Sequence, residues 1–259
     1  MAKAPELAGA RILVTNDDGI HAPGLKVLQQ IAKSLSKDVW VVAPESEQSA
    51  VAHALTLRRP VRLRRLGKQR YALDGTPTDC VLIAVKKLFK DRPPDLVLSG
   101  VNDGGNLGED VTYSGTVAAA MEGALLGLRS IALSQQRVPR GGPRFAVAER
   151  HAPDLVRRLA GFEWGRDLLI NVNFPACAPD EVKGIVACRQ GSRDLGSDIA
   201  EGEDPGGRPY LWIGSYRSDK TRHRNTDLAA VAGDAIAVTP LHLDLTHRAA
   251  LKRLQTLFG

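Results

Sequence analysis

The sequence predicts an α/β protein with a three-layer, Rossmann-like fold, in which a doubly wound, mostly parallel sheet carries helices on both faces. Two observations favour this class. Short apolar runs rich in β-branched residues alternate with longer segments of helical periodicity up to about residue 175. Polar or glycine-rich sequence follows several of these runs, at the edge of such a sheet where ligands collect.

Five apolar runs are predicted to be the core strands, and they cover residues 11–15, 39–43, 96–101, 130–134 and 168–172. Helices are predicted between them, beginning at Pro23, Thr76 and Ser114 and near residue 145. Proline in a first turn and hydroxyl side chains at the helix start are typical of helix N-termini. Apolar residues at helical spacing follow each start, so each helix has a face to bury against the sheet.

The pattern changes after residue 175, where runs at 185–189, 210–213 and 235–239 are predicted to be strands without long helices between them. Segments 202–208 and 215–224 are polar and predicted to be loops or hairpin tips, and residues 245–258 a closing helix. We therefore expect one domain over residues 1–259. It has a Rossmann-like core at about 1–175 and a β-rich extension at 176–259.

Composition narrows the class of protein. Lys and Arg number 35 against 29 Asp and Glu, and the net charge of +6 suits anionic partners. The three cysteines show neither zinc-ligand spacing nor a disulfide framework. No segment has the length and apolar character of a signal peptide or a membrane span, so we expect a soluble, cytoplasmic protein without membrane contact.

Asp17 and Asp18 are adjacent carboxylates directly after the first predicted strand. An isolated Asp-Asp pair is usually a helix cap beside a solvated residue. At the carboxyl end of a central strand, however, crowded carboxylates favour a bound cation, because two neighbouring negative charges repel each other. The position therefore indicates a metal site.

Two other strand ends supply further oxygen atoms. Ser49 lies in a polar loop after the second predicted strand, and Asn102 lies in a glycine-rich loop after the strand at 96–101. Together with Asp17 and Asp18 they form an all-oxygen set, which suits one Mg²⁺ or Mn²⁺ ion better than zinc.

A phosphate site is predicted beside the metal site. Ser114, Gly115 and Thr116 begin a helix rich in small residues, and the N–H groups and dipole of a helix N-terminus favour anions. Asn16 and Asn106, in the loops that carry the aspartates and the glycines, complete the predicted phosphate contacts.

At these motifs the sequence resembles the SurE family of survival-protein nucleotidases. The matching segments are 14–24, 42–44, 75–80, 99–108, 113–123 and 239–241. The resemblance implies a metal-dependent 5'-nucleotidase that removes phosphate from nucleoside 5'-monophosphates. Nucleoside 3'-monophosphates and short polyphosphate are further candidate substrates. It places the family's metal ligands on Asp17, Asp18, Ser49 and Asn102.

The resemblance also implies a protruding β-hairpin and a C-terminal segment exchanged between the subunits of a homodimer or homotetramer. This chain departs from the family's pattern at Ala50, where many members have glycine. Asp103 and Gly105 occupy positions that vary within the family's glycine loop. None of these departures removes an expected metal ligand.

The catalytic prediction is that Asp17 and Asp18 act with the bound cation, with either a water molecule or a carboxylate attacking phosphorus. Two alternatives stay open. One is a nucleotide-binding regulator without turnover. The other is an RNA-interacting protein, suggested by the basic stretch at 58–70, which is predicted to be a solvated hairpin face poor in aromatic residues. A dehydrogenase is disfavoured, because no Gly-x-Gly-x-x-Gly follows the first strand.

Overall fold

The computed structural model describes residues 7–137, 144–193, 199–213 and 224–259. Its strands are β1 (Arg11–Thr15), β2 (Asp38–Pro44), β3 (Leu63–Gly67), β4 (Arg70–Leu73), β5 (Leu96–Asp103), β6 (Arg129–Gln135), β7 (Leu168–Phe174), β8 (Ile185–Ala187), β9 (Ile199–Glu203), β10 (Pro209–Ile213) and β11 (Ile236–His242). Its helices are α1 (Pro23–Leu35), α2 (Pro77–Ile83), α3 (Asp110–Tyr113), α4 (Gly115–Leu125), α5 (Ala146–Ala160), α6 (Asp227–Ala232) and α7 (Arg248–Phe258). A π-helical turn, Ala84–Leu88, continues α2.

A nine-stranded sheet forms the centre of the molecule, in the order β3-β4-β2-β1-β5-β6-β7-β11-β8. The six strands from β4 to β7 are parallel, whereas β3 and β11 run antiparallel to their neighbours β4 and β7. Helices α1 and α5 pack on one face, and α2 and α4 on the other. The predicted three-layer α/β fold is confirmed.

The apolar sequence of β1 explains why it lies in the middle of the sheet. Ile12 and Val14 are fully buried in the cluster that includes α1 and α5. Leu13, between them, is fully buried in the cluster that includes α2. Because alternate side chains of a strand point to opposite faces, a strand covered on both faces needs a continuous apolar run.

The C-terminal strands differ from the prediction in their extent and partners. The expected strand at 185–189 ends at Ala187, and β9 was not expected. β8 and β11 extend the central sheet, while β9 and β10 form a separate antiparallel pair. The closing helix begins only at Arg248, after a segment in which Leu245 is 93% exposed. Of the predicted loop at 215–224, all but residue 224 lies outside the described residues.

The basic stretch forms the predicted strand pair, β3 and β4, and many of its charges are compensated. Arg59 and Arg62 form ion pairs with Asp74. Arg64 pairs with Glu45 at 3.0 Å. Because these arginines are paired with carboxylates, fewer positive charges of the strand pair are left to bind a polyanion. Across the described ranges, no helix combines the length and apolar character needed to cross a membrane.

Candidate metal and phosphate site

A cavity of about 370 Å³ lies beyond the carboxyl ends of β1, β2 and β5, and the four predicted metal ligands all line it. They are Asp17, Asp18, Ser49 and Asn102. The loops that follow parallel strands meet at one edge of the sheet, which is where α/β proteins bind ligands. Of the predicted phosphate contacts, Asn106 and Ser114 line the same cavity.

Asp17 is the most tightly held of the four. Its side chain is buried, its carboxylate accepts a hydrogen bond from the Thr116 hydroxyl, and its backbone carbonyl accepts one from the Gln48 N–H at 2.8 Å. A Cβ atom on Gly115 would lie 2.7 Å from the Asp17 Cβ atom, so only glycine lets α4 begin this close to the carboxylate. Burial raises the pKa of Asp17, although the Thr116 hydrogen bond opposes that shift.

Asp18 is half-buried beside several other carboxylates. Burial, followed by the negative charges of Asp17, Glu47 and Asp103, raises the pKa of Asp18 to about 6. These carboxylates therefore repel one another in the protein alone. A divalent cation would compensate their charge, and so the electrostatics fit the predicted metal.

A β-bulge places Asn102 at the edge of the cavity. The register between β5 and β6 shifts between Ser99 and Asn102. Within the bulge Gly100 has φ +127°, and a Cβ atom there would lie 2.1 Å from the Leu133 carbonyl oxygen. The Asn102 side-chain Nδ2 donates to the Gly104 carbonyl at 2.9 Å. The oxygen of the same side-chain amide, Asn102 Oδ1, is the atom that can bind a hard cation.

Ser49 lies on an exposed loop that is tied down at its far side. The Ser49 hydroxyl donates to Glu47 Oε1 at 2.8 Å, which leaves the lone pairs of Ser49 Oγ to accept a ligand. Farther along the loop, the Thr56 N–H donates to the Asp79 carboxylate at 3.0 Å. Asp79 also accepts the Thr76 N–H at the start of α2. The loop is therefore anchored to the start of α2 at Thr56.

The donor set suits a hard divalent cation that keeps part of its water shell. Within the part of the chain that the structure describes, no three His, Cys, Asp or Glu side chains are grouped so that they could hold a metal. The predicted ligands instead combine two carboxylates with one amide and one hydroxyl oxygen. Mg²⁺ and Mn²⁺ accept such oxygen ligands and fill the remaining positions with water.

The predicted phosphate residues divide into two groups. Ser114 lines the cavity and caps α4, since its hydroxyl accepts the Val117 N–H at 3.1 Å. Thr116 and Asn16 are fully buried. Thr116 bonds to Asp17, and Asn16 Nδ2 donates to the Gly19 carbonyl at 3.1 Å. Gly115, Thr116 and Asn16 therefore hold the aspartate loop, whereas Ser114 and Asn106 are the predicted phosphate contacts that line the cavity.

Two asparagines outside the predicted site, Asn171 and Asn173, fix Asn106 in place. The Asn173 Oδ1 atom accepts the Asn106 N–H at 2.7 Å, and the Asn106 carbonyl accepts from Asn171 and Asn173. Asn106 Nδ2 in turn donates to the Ser134 hydroxyl at 2.7 Å. The available signal was the alternation of asparagine with apolar residues in β7, where a buried polar residue requires a partner.

Ala50 adopts a left-handed backbone conformation next to Ser49, with φ +59°. This is the position at which many SurE sequences have glycine, and an alanine in this conformation costs about 1–2 kcal/mol. We expect Ala50→Gly to raise the free energy of unfolding by about 0.5–1 kcal/mol, since glycine relieves the strain but loses more entropy on folding.

Denaturant unfolding measures this change. The matched control is Ala229→Gly, inside α6, where glycine has no strain to relieve and should lower the stability. Equal destabilisation by both glycines would contradict the assigned strain at Ala50.

The fold and the site together define a Rossmann-like α/β protein with an oxygen-lined cavity at the carboxyl edge of its sheet. The chain belongs to the SurE family, because the family model described as survival protein SurE matches residues 12–197. The resemblance found in the sequence is confirmed.

Similar proteins match nearly the whole chain. "5'-nucleotidase SurE" of Paramagnetospirillum magneticum is 56% identical over 96% of this chain and 95% of its own. The protein of the same name from Rhodospirillum rubrum is 55% identical and covers 98% of both chains. The crystal structure of the SurE protein from Aquifex aeolicus superposes with a TM-score of 0.84 at 40% identity, covering 96% of this chain and 100% of that one.

Proposed function

We propose that this protein is a 5'-nucleotidase that hydrolyses the phosphate ester of nucleoside 5'-monophosphates with one bound Mg²⁺ or Mn²⁺ ion. The observation that carries the proposal is that Asp17, Asp18, Ser49 and Asn102 line one and the same cavity, beside the N-terminus of α4. Relatives at 55–56% identity over nearly the whole chain bear the name 5'-nucleotidase SurE.

The four cavity residues would hold the cation, which when bound draws charge from the phosphate and lowers the pKa of a water molecule. The chain itself positions the reacting groups. Asp17 Oδ1 accepts the Thr116 hydroxyl, and the second carboxylate oxygen, Oδ2, has lone pairs that can face the cation or the reacting group. Ser114 and Asn106, which line the cavity, would provide donors for the phosphate oxygens, whose charge is stabilised as the bond to the leaving group breaks.

Two routes use Asp17 differently. In the first, its Oδ2 atom orients a water molecule that attacks phosphorus, and the nucleoside oxygen leaves. In the second, Oδ2 itself attacks phosphorus and displaces the nucleoside oxygen, and water then attacks the phosphorus of the aspartyl phosphate and releases the carboxylate. The stereochemistry of a chiral phosphate ester distinguishes the routes, because one in-line displacement by water inverts the configuration at phosphorus, whereas two successive displacements retain it.

A panel of nucleoside 5'- and 3'-monophosphates and short polyphosphate, assayed with Mg²⁺ and with Mn²⁺, tests the proposed activity. We expect phosphate release from the 5'-monophosphates and none in the presence of a chelator. Nucleotide binding without release would instead support a regulator. RNA binding that weakens steeply with salt would support the RNA alternative. The ion pairs of the β3–β4 hairpin make that alternative the weaker one.

We also propose a cytoplasmic homodimer or homotetramer in which C-terminal segments are exchanged. Helix α7 has no buried residue, and Leu251, Leu254 and Leu257 are exposed along it at helical spacing. An apolar face of this kind commonly binds another surface. Light scattering should give a mass of at least two chains for the full protein and a smaller mass for a chain ending at residue 244. A monomeric full-length protein would contradict the proposal.

The proposed cytoplasmic location is supported by the cysteines. All three are free thiols, in keeping with a reducing compartment.

A further inference from the structure

A segment far along the chain returns to the cavity. Residues 190–193, after β8, lie against the loop at 107–110. Gln190 Nε2 donates to the Gly108 carbonyl at 2.8 Å. The fully buried Asp227 carboxylate joins the two segments, because it accepts the N–H of Gly191 at 2.8 Å and that of Gly108 at 2.9 Å. The position of residues 190–193 is therefore fixed relative to the glycine loop.

Arg193, at the end of this segment, lines the cavity. Its guanidinium contacts Asp110 Oδ2 at 2.5 Å, and its backbone N–H donates to the Glu109 carboxylate. The Arg193 side chain is only 17% exposed. Fixing the guanidinium in advance removes part of the side-chain entropy that binding a ligand would otherwise cost.

The charges around the cavity show why a positively charged side chain held in place would matter for binding an anion. Five carboxylates are among the residues that line it, namely Asp17, Asp18, Glu47, Asp103 and Asp110. The described arginines of the lining are Arg137 and Arg193. The Arg137 side chain is 76% exposed, and its Nε atom lies 3.5 Å from Asp103 Oδ1. A phosphate dianion entering this cavity would meet repulsion unless cationic groups bind it, and Arg193 is the more enclosed of the two.

We propose that Arg193 binds the phosphate group of the substrate, donating to an oxygen that is not esterified, and that Asp110 positions it for this contact. A guanidinium has five N–H donors in a rigid plane, so an arginine can bind a carboxylate along one side and a phosphate along another. This inference rests on the proposed nucleotidase function. It gives the phosphate group a further contact, in addition to the metal ion and the start of α4.

Arg193→Gln tests the proposal with two substrates and one product. We expect the KM for AMP, the KM for p-nitrophenyl phosphate and the inhibition constant of inorganic phosphate to rise by about 10- to 100-fold, the loss typical of a charged hydrogen bond. We expect kcat to change less and Mn²⁺ affinity, measured by calorimetry without substrate, to stay at the wild-type value. Arg193→Lys should restore part of the phosphate affinity.

The matched control is Arg157→Gln, which removes an ion-paired arginine from the exposed part of α5, away from the cavity, and should leave every constant unchanged. If Arg193→Gln fails to fold, Arg193→Lys provides a second test, because it keeps the positive charge but replaces the planar set of five donors by an ammonium group. It should weaken phosphate binding with a normal thermal melting curve.

Unchanged phosphate inhibition in a folded variant would overturn the assignment of Arg193. A loss for AMP but not for p-nitrophenyl phosphate would overturn it as well, because Arg193 would then contact the nucleoside. The proposed function fails in a different way, namely when the wild-type protein with Mn²⁺ releases no phosphate. Calorimetry of inorganic phosphate binding to the wild type and to Arg193→Gln tests the arginine even then.

Discussion

Asp17→Asn is expected to lower the rate of phosphate release from AMP by roughly 10²–10⁴-fold, the range for loss of a positioned catalytic group or charge. The variant keeps the shape of the side chain and an oxygen that can accept the Thr116 hydrogen bond. It removes the negative charge that would hold the cation and, in the covalent route, the nucleophile. Asp18→Asn should reduce the rate to a similar extent, because it removes the neighbouring charge.

The stability of the metal-free protein should not fall with the activity. Asp17 is buried and its pKa is raised, so its charged form is disfavoured in the fold. A neutral asparagine should therefore leave the melting temperature of the metal-free protein unchanged or higher. The wild-type protein should gain stability as Mn²⁺ is added, because the ion binds only the folded chain, and this gain should be much smaller in Asp17→Asn.

Phosphate-release assays and melting curves with and without Mn²⁺ measure both effects. Asp154→Asn is the matched control, because Asp154 lies on α5 with 85% of its side chain exposed. It should behave like the wild type in both measurements. Near-normal turnover of Asp17→Asn with saturating Mn²⁺ would exclude Asp17 from the catalytic site.

The sequence could locate the four predicted metal ligands because their grouping depends on topology. In a parallel sheet the carboxyl ends of strands lie at one edge, so the loops after three strands are brought together however far apart they are in sequence. Asp17, Asp18, Ser49 and Asn102 accordingly line one cavity. Their role as ligands stays a prediction that metal-binding measurements must test.

The supporting contacts could not be predicted, because each joins distant segments through a single side chain. The hydrogen bond of Thr116 to Asp17 spans 99 residues, and that between Gly108 and Asp227 spans 119. No local pattern marks such a pair. β9 escaped prediction for a different reason, since its residues are exposed or half-buried and carry no apolar alternation.

Gly24→Ala is expected to destabilise the protein by about 3 kcal/mol, a large value for one added methyl group. In an ordinary helix this change is favourable, because alanine is the better helix former by about 1 kcal/mol. Here a Cβ atom would lie 1.9 Å from the Val101 carbonyl oxygen and 3.2 Å from the Phe145 ring. The steric conflict with the backbone of β5 therefore outweighs the gain in helix propensity.

For a chain of this length, a loss of that size should lower the melting temperature by roughly 6–12 °C. Gly165→Ala is the matched control, because its new Cβ atom would have no neighbour within 4 Å. It should leave the melting temperature nearly unchanged. An equally small effect of Gly24→Ala would show that α1 can move away from β5 at little cost.

The same substitution also probes the coupling between α1 and the metal site. Val101, which the new methyl group would displace, immediately precedes Asn102 in β5. If α1 helps to hold the bulge in place, Gly24→Ala should weaken Mn²⁺ binding at temperatures well below its melting point, measured by calorimetry on the folded protein. Wild-type Mn²⁺ affinity in the destabilised variant would mean that the bulge keeps its shape without α1, held by Gly100 and its contact with β6 alone.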